Sequence, residues 1–136
     1  MDEDLQRFVD AQARVIDRVR AELRLGKKQS HWMWFVFPQL KGLGHSETAR
    51  RYAIHSLDEA RAYLAHPVLG PRLRECTKLV LAADRPVIAD IFAYPDDLKF
   101  RSSMTLFAHA SDEPVFHDAL VKYFSGKEDV ETVKRL

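Results

Sequence analysis

Scarcity defines this chain before abundance does. One cysteine, Cys76, excludes an internal disulfide and fits a reducing compartment, so a cytoplasmic location is expected. Five glycines and six prolines in 136 residues leave no low-complexity linker, repeat or Gly/Ser-rich tail. No run approaches the about 18 apolar residues of a membrane span, and the acidic, amphipathic start is unlike a signal peptide. The net charge is only +1, which argues against a field that would gather nucleic acid or an anionic membrane. No segment alternates polar and apolar residues over five or more positions, so strands are not expected. Together these absences point to a soluble all-α protein, one globular domain over residues 1–136, built from six to eight mostly short helices.

What is present is concentrated. Both tryptophans and two of the eight phenylalanines fall within residues 32–37, in Ser30-His31-Trp32-Met33-Trp34-Phe35-Val36-Phe37-Pro38-Gln39-Leu40. A segment apolar on every side has no solvent face. Ser30 is a good N-cap and Pro38 cannot lie inside a helix, so a helix here is at most about two turns, with His31 beside Trp34 and Phe35. A strand would instead align Trp32, Trp34 and Val36. Periodicity does not arbitrate in so short a run, and the helical surroundings favour the helix. The stretch is either a core plug, the commoner fate of clustered aromatics, or an aromatic pocket whose polar lip is His31 and Gln39.

The remaining pattern is helical. Leu5, Phe8, Val9, Gln12, Val15, Ile16, Val19 and Leu23 draw one stripe over a helix from Asp4 to Leu25, closed by Gly26. Its start, Asp2-Glu3-Asp4, complements the helix dipole, and its charged outer face reads as solvated surface. Ser46 caps a helix to about Ile54, and Ser56-Leu57-Asp58-Glu59 is a capping box opening a helix to Ala65. Breaks at His66-Pro67 and Gly70-Pro71 precede a helix over about Pro71–Ala82, with Cys76 inward among Leu73, Leu79 and Val80 and so inert. A short helix is expected over Arg85–Phe92, then longer ones over Leu98–His109 and Val115–Phe124, and a last one capped by Asp129.

Three features carry possible chemistry. Gly42-Leu43-Gly44 before the Ser46 helix offers backbone amides to an anion, but it lacks the spacing of known phosphate loops and reads first as a turn. In the helix after Asp97, Lys99 has Ser102 and Ser103 at i+3 and i+4. A half-buried lysine can activate a serine, although its role as a fixed cation for a ligand is favoured over a nucleophilic Ser103. Six histidines are scattered without metal spacing, so neither a metal nor another cofactor is expected. The runs Asp96-Asp97, Asp112-Glu113 and Glu128-Asp129 are explained by helix capping. Lys27, Lys28, Lys41, Arg50 and Arg51 surround aromatics, as in single-strand binders, but those rings are needed for the core and nucleic acid is disfavoured.

These motifs, with Leu69-Gly70, Lys99-Phe100-Arg101-Ser102-Ser103-Met104-Thr105-Leu106-Phe107 and Tyr123-Phe124-Ser125-Gly126, resemble a small bacterial and fungal family catalogued as domain of unknown function 1810. The resemblance spans essentially the whole chain. It implies a compact, mostly helical domain and no activity. The calpastatin label carried by some members does not transfer, because calpastatin inhibitory regions are largely disordered and this composition is globular. A fainter similarity, of helical layout only, is to the NADAR N-glycosidases, and no catalytic residue is carried over from them.

Two readings follow. In one, a small anionic or nucleotide-like ligand, such as an ADP-ribose-like compound, is bound or hydrolysed in a pocket between residues 30–41 and 97–109. His31, Lys99 and Ser103 would be its catalytic groups, and Trp32, Trp34, Gln39, Gly42, Gly44 and Ser102 its binding groups. In the other, the chain is a non-catalytic interaction or regulatory domain, and both stretches are core.

Overall fold

The computed structural model describes residues 2–136, with side chains from Leu5 onward. Nine α-helices are present among them: α1 (Asp2–Ala13), α2 (Ile16–Leu25), α3 (Met33–Val36), α4 (Glu47–Arg51), α5 (Leu57–Ala65), α6 (Leu69–Ala82), α7 (Asp96–Ala110), α8 (Pro114–Phe124) and α9 (Val130–Arg135). A 3-10 turn lies at Ile88–Asp90. The described residues contain no strand, only one parallel bridge pairing Leu40 with Ile54. None of their helices is long and apolar enough to cross a membrane. The side chains of Asp2, Glu3 and Asp4, read above as dipole partners, lie outside the described set.

The centre is α7. It packs against α8, α5, α9 and α3, while α6 packs against α2, α5 and α8. Phe100 and every residue from Ser102 to Phe107 are buried, so α7 has little solvent face. Trp32, Phe37, Phe92 and Phe100 meet edge-on or tilted, with ring centres 5.1–6.2 Å apart. The aromatic stretch is therefore anchored in the core through Trp32 and Phe37.

Four local expectations are corrected. The helix read as continuous from Asp4 to Leu25 turns at Arg14-Val15, where Val15 N–H donates to the Gln12 carbonyl. The two halves serve different partners, α1 packing on α3 and α2 on α6. Gln12 is buried at the turn and donates to the Phe35 carbonyl (2.7 Å) and the Tyr63 hydroxyl (2.9 Å). Gly70-Pro71 does not break the chain: α6 begins at Leu69 and takes Pro71 into its first turn, where no intrahelical donor is required. A Cβ at Gly70 would strike the Leu64 carbonyl, so glycine there permits the close approach of α5 to α6. His66 Nδ1 accepts from the N–H groups of Val68 and Leu69 at this start. The segment Arg85–Phe92 keeps only its 3-10 turn, and the Ile91 carbonyl accepts from Lys28 N–H at 2.9 Å.

Ser30 is the fourth correction. It does not cap α3, which is a single turn with Trp32 at its cap position. Its hydroxyl donates to Glu22 Oε2 at 2.6 Å. Other caps match the sequence reading. Ser46 accepts from Ala49 N–H, Ser56 from Glu59 N–H, and Asp129 from Thr132 N–H. Glu59 in turn accepts from His55 N–H.

Candidate functional site

The aromatic stretch proves to be both plug and pocket wall. Trp32, Met33, Val36 and Phe37 are buried, Trp34 and Phe35 are half-buried, and His31 is exposed. Phe37 leaves the helical conformation before Pro38, which ends α3 and sends Gln39 and Leu40 alongside Ile54. Ile54 N–H donates to the Gln39 carbonyl (2.9 Å), and Lys41 N–H donates to the Ile54 carbonyl (2.8 Å).

Glu22 holds the entry to this stretch. Its carboxylate accepts from Gln29 N–H (2.7 Å), Ser30 N–H (3.1 Å), the Ser30 hydroxyl and Trp32 Nε1 (3.0 Å). Burial pushes the carboxyl upward, yet the hydrogen bonds led by Gln29 and Ser30 outweigh it and hold the pKa below the usual carboxylate value. In the sequence Glu22 is one of the charged residues outside the apolar stripe, and nothing there singles it out. Its partners lie seven to ten positions downstream, beyond any helical period.

A cleft of about 130 Å³ opens between α3 and the start of α7, lined by Lys28, His31, Trp32, Met33, Trp34, Phe35, Thr48, Asp96 and Lys99. Asp96 bridges its two ammonium groups, with Lys28 Nζ at 2.7 Å and Lys99 Nζ at 3.3 Å. Each lysine also lies over an indole: Lys99 is 4.3 Å from the Trp34 ring centre and Lys28 is 5.3 Å from that of Trp32. Two cations share one carboxylate, so the cluster carries a net positive charge. A single imidazole, His31, lines the same cleft.

Of the nine residues singled out by sequence, His31, Trp32, Trp34 and Lys99 come together here. Gln39, Gly42 and Gly44 line a neighbouring cavity that also includes Trp34. Ser102 and Ser103 line neither. Ser102 donates to Asp129 Oδ2 (3.0 Å) and the Leu98 carbonyl (3.1 Å), and so ties α7 to the start of α9. Ser103 is fully buried and its hydroxyl has no partner among the described residues. In the sequence, Lys28 and Asp96 read only as one of several basic residues around aromatics and as part of a helix cap, not as site residues. Asp96 precedes Lys99 by one helical turn, the spacing that could have marked it, but its pair with Lys28 is a tertiary contact.

No group of three or more His, Cys, Asp or Glu side chains able to hold a metal is found among the described residues. Cys76 is fully buried, and burial and then Glu75 push its thiol up to about 12, as expected for an inert residue.

No functionally curated protein matches the chain in sequence. Among solved structures it is similar to the conserved hypothetical protein Rv1873 from Mycobacterium tuberculosis, known from a crystal structure at 1.38 Å. The two share 58% identity, with a TM-score of 0.97 over 98% of this chain and 96% of the other. That likeness covers the helices that build the cleft, and the family described as "Protein of unknown function (DUF1810)" matches residues 2–136. The chain therefore belongs to the DUF1810 family.

Proposed function

We propose that the chain binds a small anionic ligand bearing a planar group, of the nucleotide or ADP-ribose kind, in the cleft between residues 31–35 and the first turn of α7. One observation carries the reading: Lys28 and Lys99 share Asp96 while each covers a tryptophan ring. An isolated structural ion pair needs one cation. Here the second leaves a positive charge over an aromatic wall, the chemistry that holds a phosphate or carboxylate next to a ring. In the hydrolytic form of this reading, Lys99 holds the anion, a solvent water attacks the centre from which the leaving group departs, and His31 delivers the proton to that leaving group.

A non-catalytic interaction domain is the competing reading. It draws support from Tyr94 and Leu98, which are exposed apolar side chains at the N-terminal end of α7.

A thermal-shift screen against nucleotides, ADP-ribose, flavins and sugar phosphates separates the two. A ligand at a hundred times its dissociation constant adds about 2.7 kcal/mol, a shift of several degrees. The ligand reading expects a hit that Lys99→Ala removes, and the hydrolytic form expects turnover that His31→Ala removes. A flat response to every compound overturns it and leaves the interaction reading standing.

A further inference from the structure

Trp34 belongs to two cavities. Lys99 lies over its face in the anion cleft, whereas the edge of its six-membered ring lies toward Gly44 and Ala49. A Cβ at Gly44 would come within 2.7 Å of Trp34 Cη2 and 2.6 Å of the Ala49 Cβ, so only glycine leaves the indole in this position. Beyond that edge is a second cavity of about 160 Å³, with Leu40, Ala49 and Ala53 among its apolar lining residues.

Two features separate this cavity from a packing defect. Its lining includes Lys41, Arg50 and His55 but no carboxylate, so it favours an electron-rich or anionic occupant over a cation. It is also lined by Gln39, which is 5% exposed and whose Nε2 is buried without any hydrogen-bond partner among the described residues. A buried amide left unpaired costs free energy that an incoming acceptor recovers. The neighbouring backbone is pinned by the Leu40–Ile54 bridge, so Gln39 is held at the cavity rather than free to turn to solvent.

We infer that the second cavity receives the ring of the same ligand whose anionic group lies at Lys28 and Lys99. The ring is an uncharged, planar nitrogen heterocycle, nucleobase-like, presenting a carbonyl oxygen or ring nitrogen to the Gln39 amide. Trp34 forms the partition that the ligand straddles. This narrows the ligand to a heterocycle joined to an anion, and it rests on the anion-cleft reading above.

Calorimetric titration of the full chain tests it with three probes: inorganic pyrophosphate, the four common ribonucleosides, and their 5′-diphosphates. At least one 5′-diphosphate is expected to bind about tenfold more tightly than pyrophosphate, the scale of one buried hydrogen bond. Ala49→Leu, which fills the cavity, and Gln39→Met, which removes the donor at similar volume, each erase that advantage and leave pyrophosphate binding unchanged. Lys99→Gln weakens pyrophosphate and diphosphate alike. The two cavity variants act by different means, and circular dichroism shows which of them folds.

If the diphosphate binds no better than pyrophosphate, or keeps its advantage in both cavity variants, the second cavity is not the ring site while the anion cleft survives. If a nucleoside binds and no phosphate does, the ring site stands and the anion reading falls. If no probe binds, both fall.

Discussion

Lys99 Nζ stands 4.3 Å from the centre of the Trp34 ring, on the wall of the cleft between α3 and α7. An anion that engages Lys99 draws the ammonium from the indole and alters the field that the ring senses. Ligand binding is therefore expected to change tryptophan emission. Trp34→Leu should remove the larger part of the change, because Trp32, the other fluorophore of the cleft, is 2% exposed and senses the ligand through the more distant Lys28, 5.3 Å from its ring centre. Titration of both proteins with the first thermal-shift hit checks this. An undiminished signal in Trp34→Leu would place the ligand away from Lys99.

Asp96 couples the two lysines energetically. Its side chain is 19% exposed, and each lysine alone keeps it paired. Lys28→Met and Lys99→Met should each cost about 1 kcal/mol, the sum of a half-buried ion pair and a cation–π contact. The double variant strands the carboxylate, so its loss should exceed the sum of the singles by about 1 kcal/mol or more. Urea denaturation of the four proteins closes the cycle, and strict additivity would show that Asp96 does not link them.

Glu22 should govern acid stability. Its folded-state pKa lies below the ordinary 4.5, so between the two values the unfolded chain binds more protons. The carboxylate's contribution is complete above pH 4.5 and is lost as the pH falls through the lowered folded value. Glu22→Gln, which keeps an acceptor, should cost about 1–2 kcal/mol at pH 7, and Glu22→Leu about 3–5 kcal/mol because three N–H donors lose their partner. Relative to the parent, the Gln variant should show a shallower stability loss below pH 4.5. Equal acid slopes would remove Glu22 from that role.

These cases mark what was legible in the sequence. Helical class, the capping serines Ser46 and Ser56, and the buried stripe through Leu73, Cys76 and Val80 all depend on spacings within one or two turns, and the structure contains them. The turn at Arg14-Val15 was invisible because the apolar stripe runs through it without a change of period. The centrality of α7 was hidden for the opposite reason: buried on nearly every side, it has no stripe to read. In the cleft, Trp34 and Lys99 stood out as unusual residues in unusual company. Lys28, Asp96 and Glu22 look like ordinary helix-end or surface charges until the chain folds, because their significance lies in contacts across the fold.

Gly44 should tolerate no side chain. Gly44→Ala places a methyl against Trp34 and Ala49 at distances that force one of them to move. The expected loss is about 1–3 kcal/mol, the usual range for overpacking a tight contact, with altered Trp34 emission in the folded protein. Gly42→Ala separates the causes: its φ of 97° strains any L-residue, but the new methyl faces the flexible Arg135 side chain rather than the indole. That variant should lose stability while leaving Trp34 emission as it was. Matching emission changes in both would trace the effect to the loop backbone instead of the indole.

Ser103 offers the sharpest test of whether the lysine–serine spacing in α7 is chemical or structural. The hydroxyl is fully buried, unpaired among the described residues, and outside both cavities. An unpartnered buried hydroxyl costs free energy that an alanine of smaller volume does not incur. Ser103→Ala should therefore leave stability unchanged or raise it by about 1 kcal/mol, with ligand affinity unaltered. A nucleophilic serine behaves otherwise: any turnover found for the parent would vanish in the variant while binding persisted. Measuring melting temperature, affinity and turnover on the same preparation distinguishes these outcomes, and loss of turnover alone would return Ser103 to the catalytic set beside Lys99.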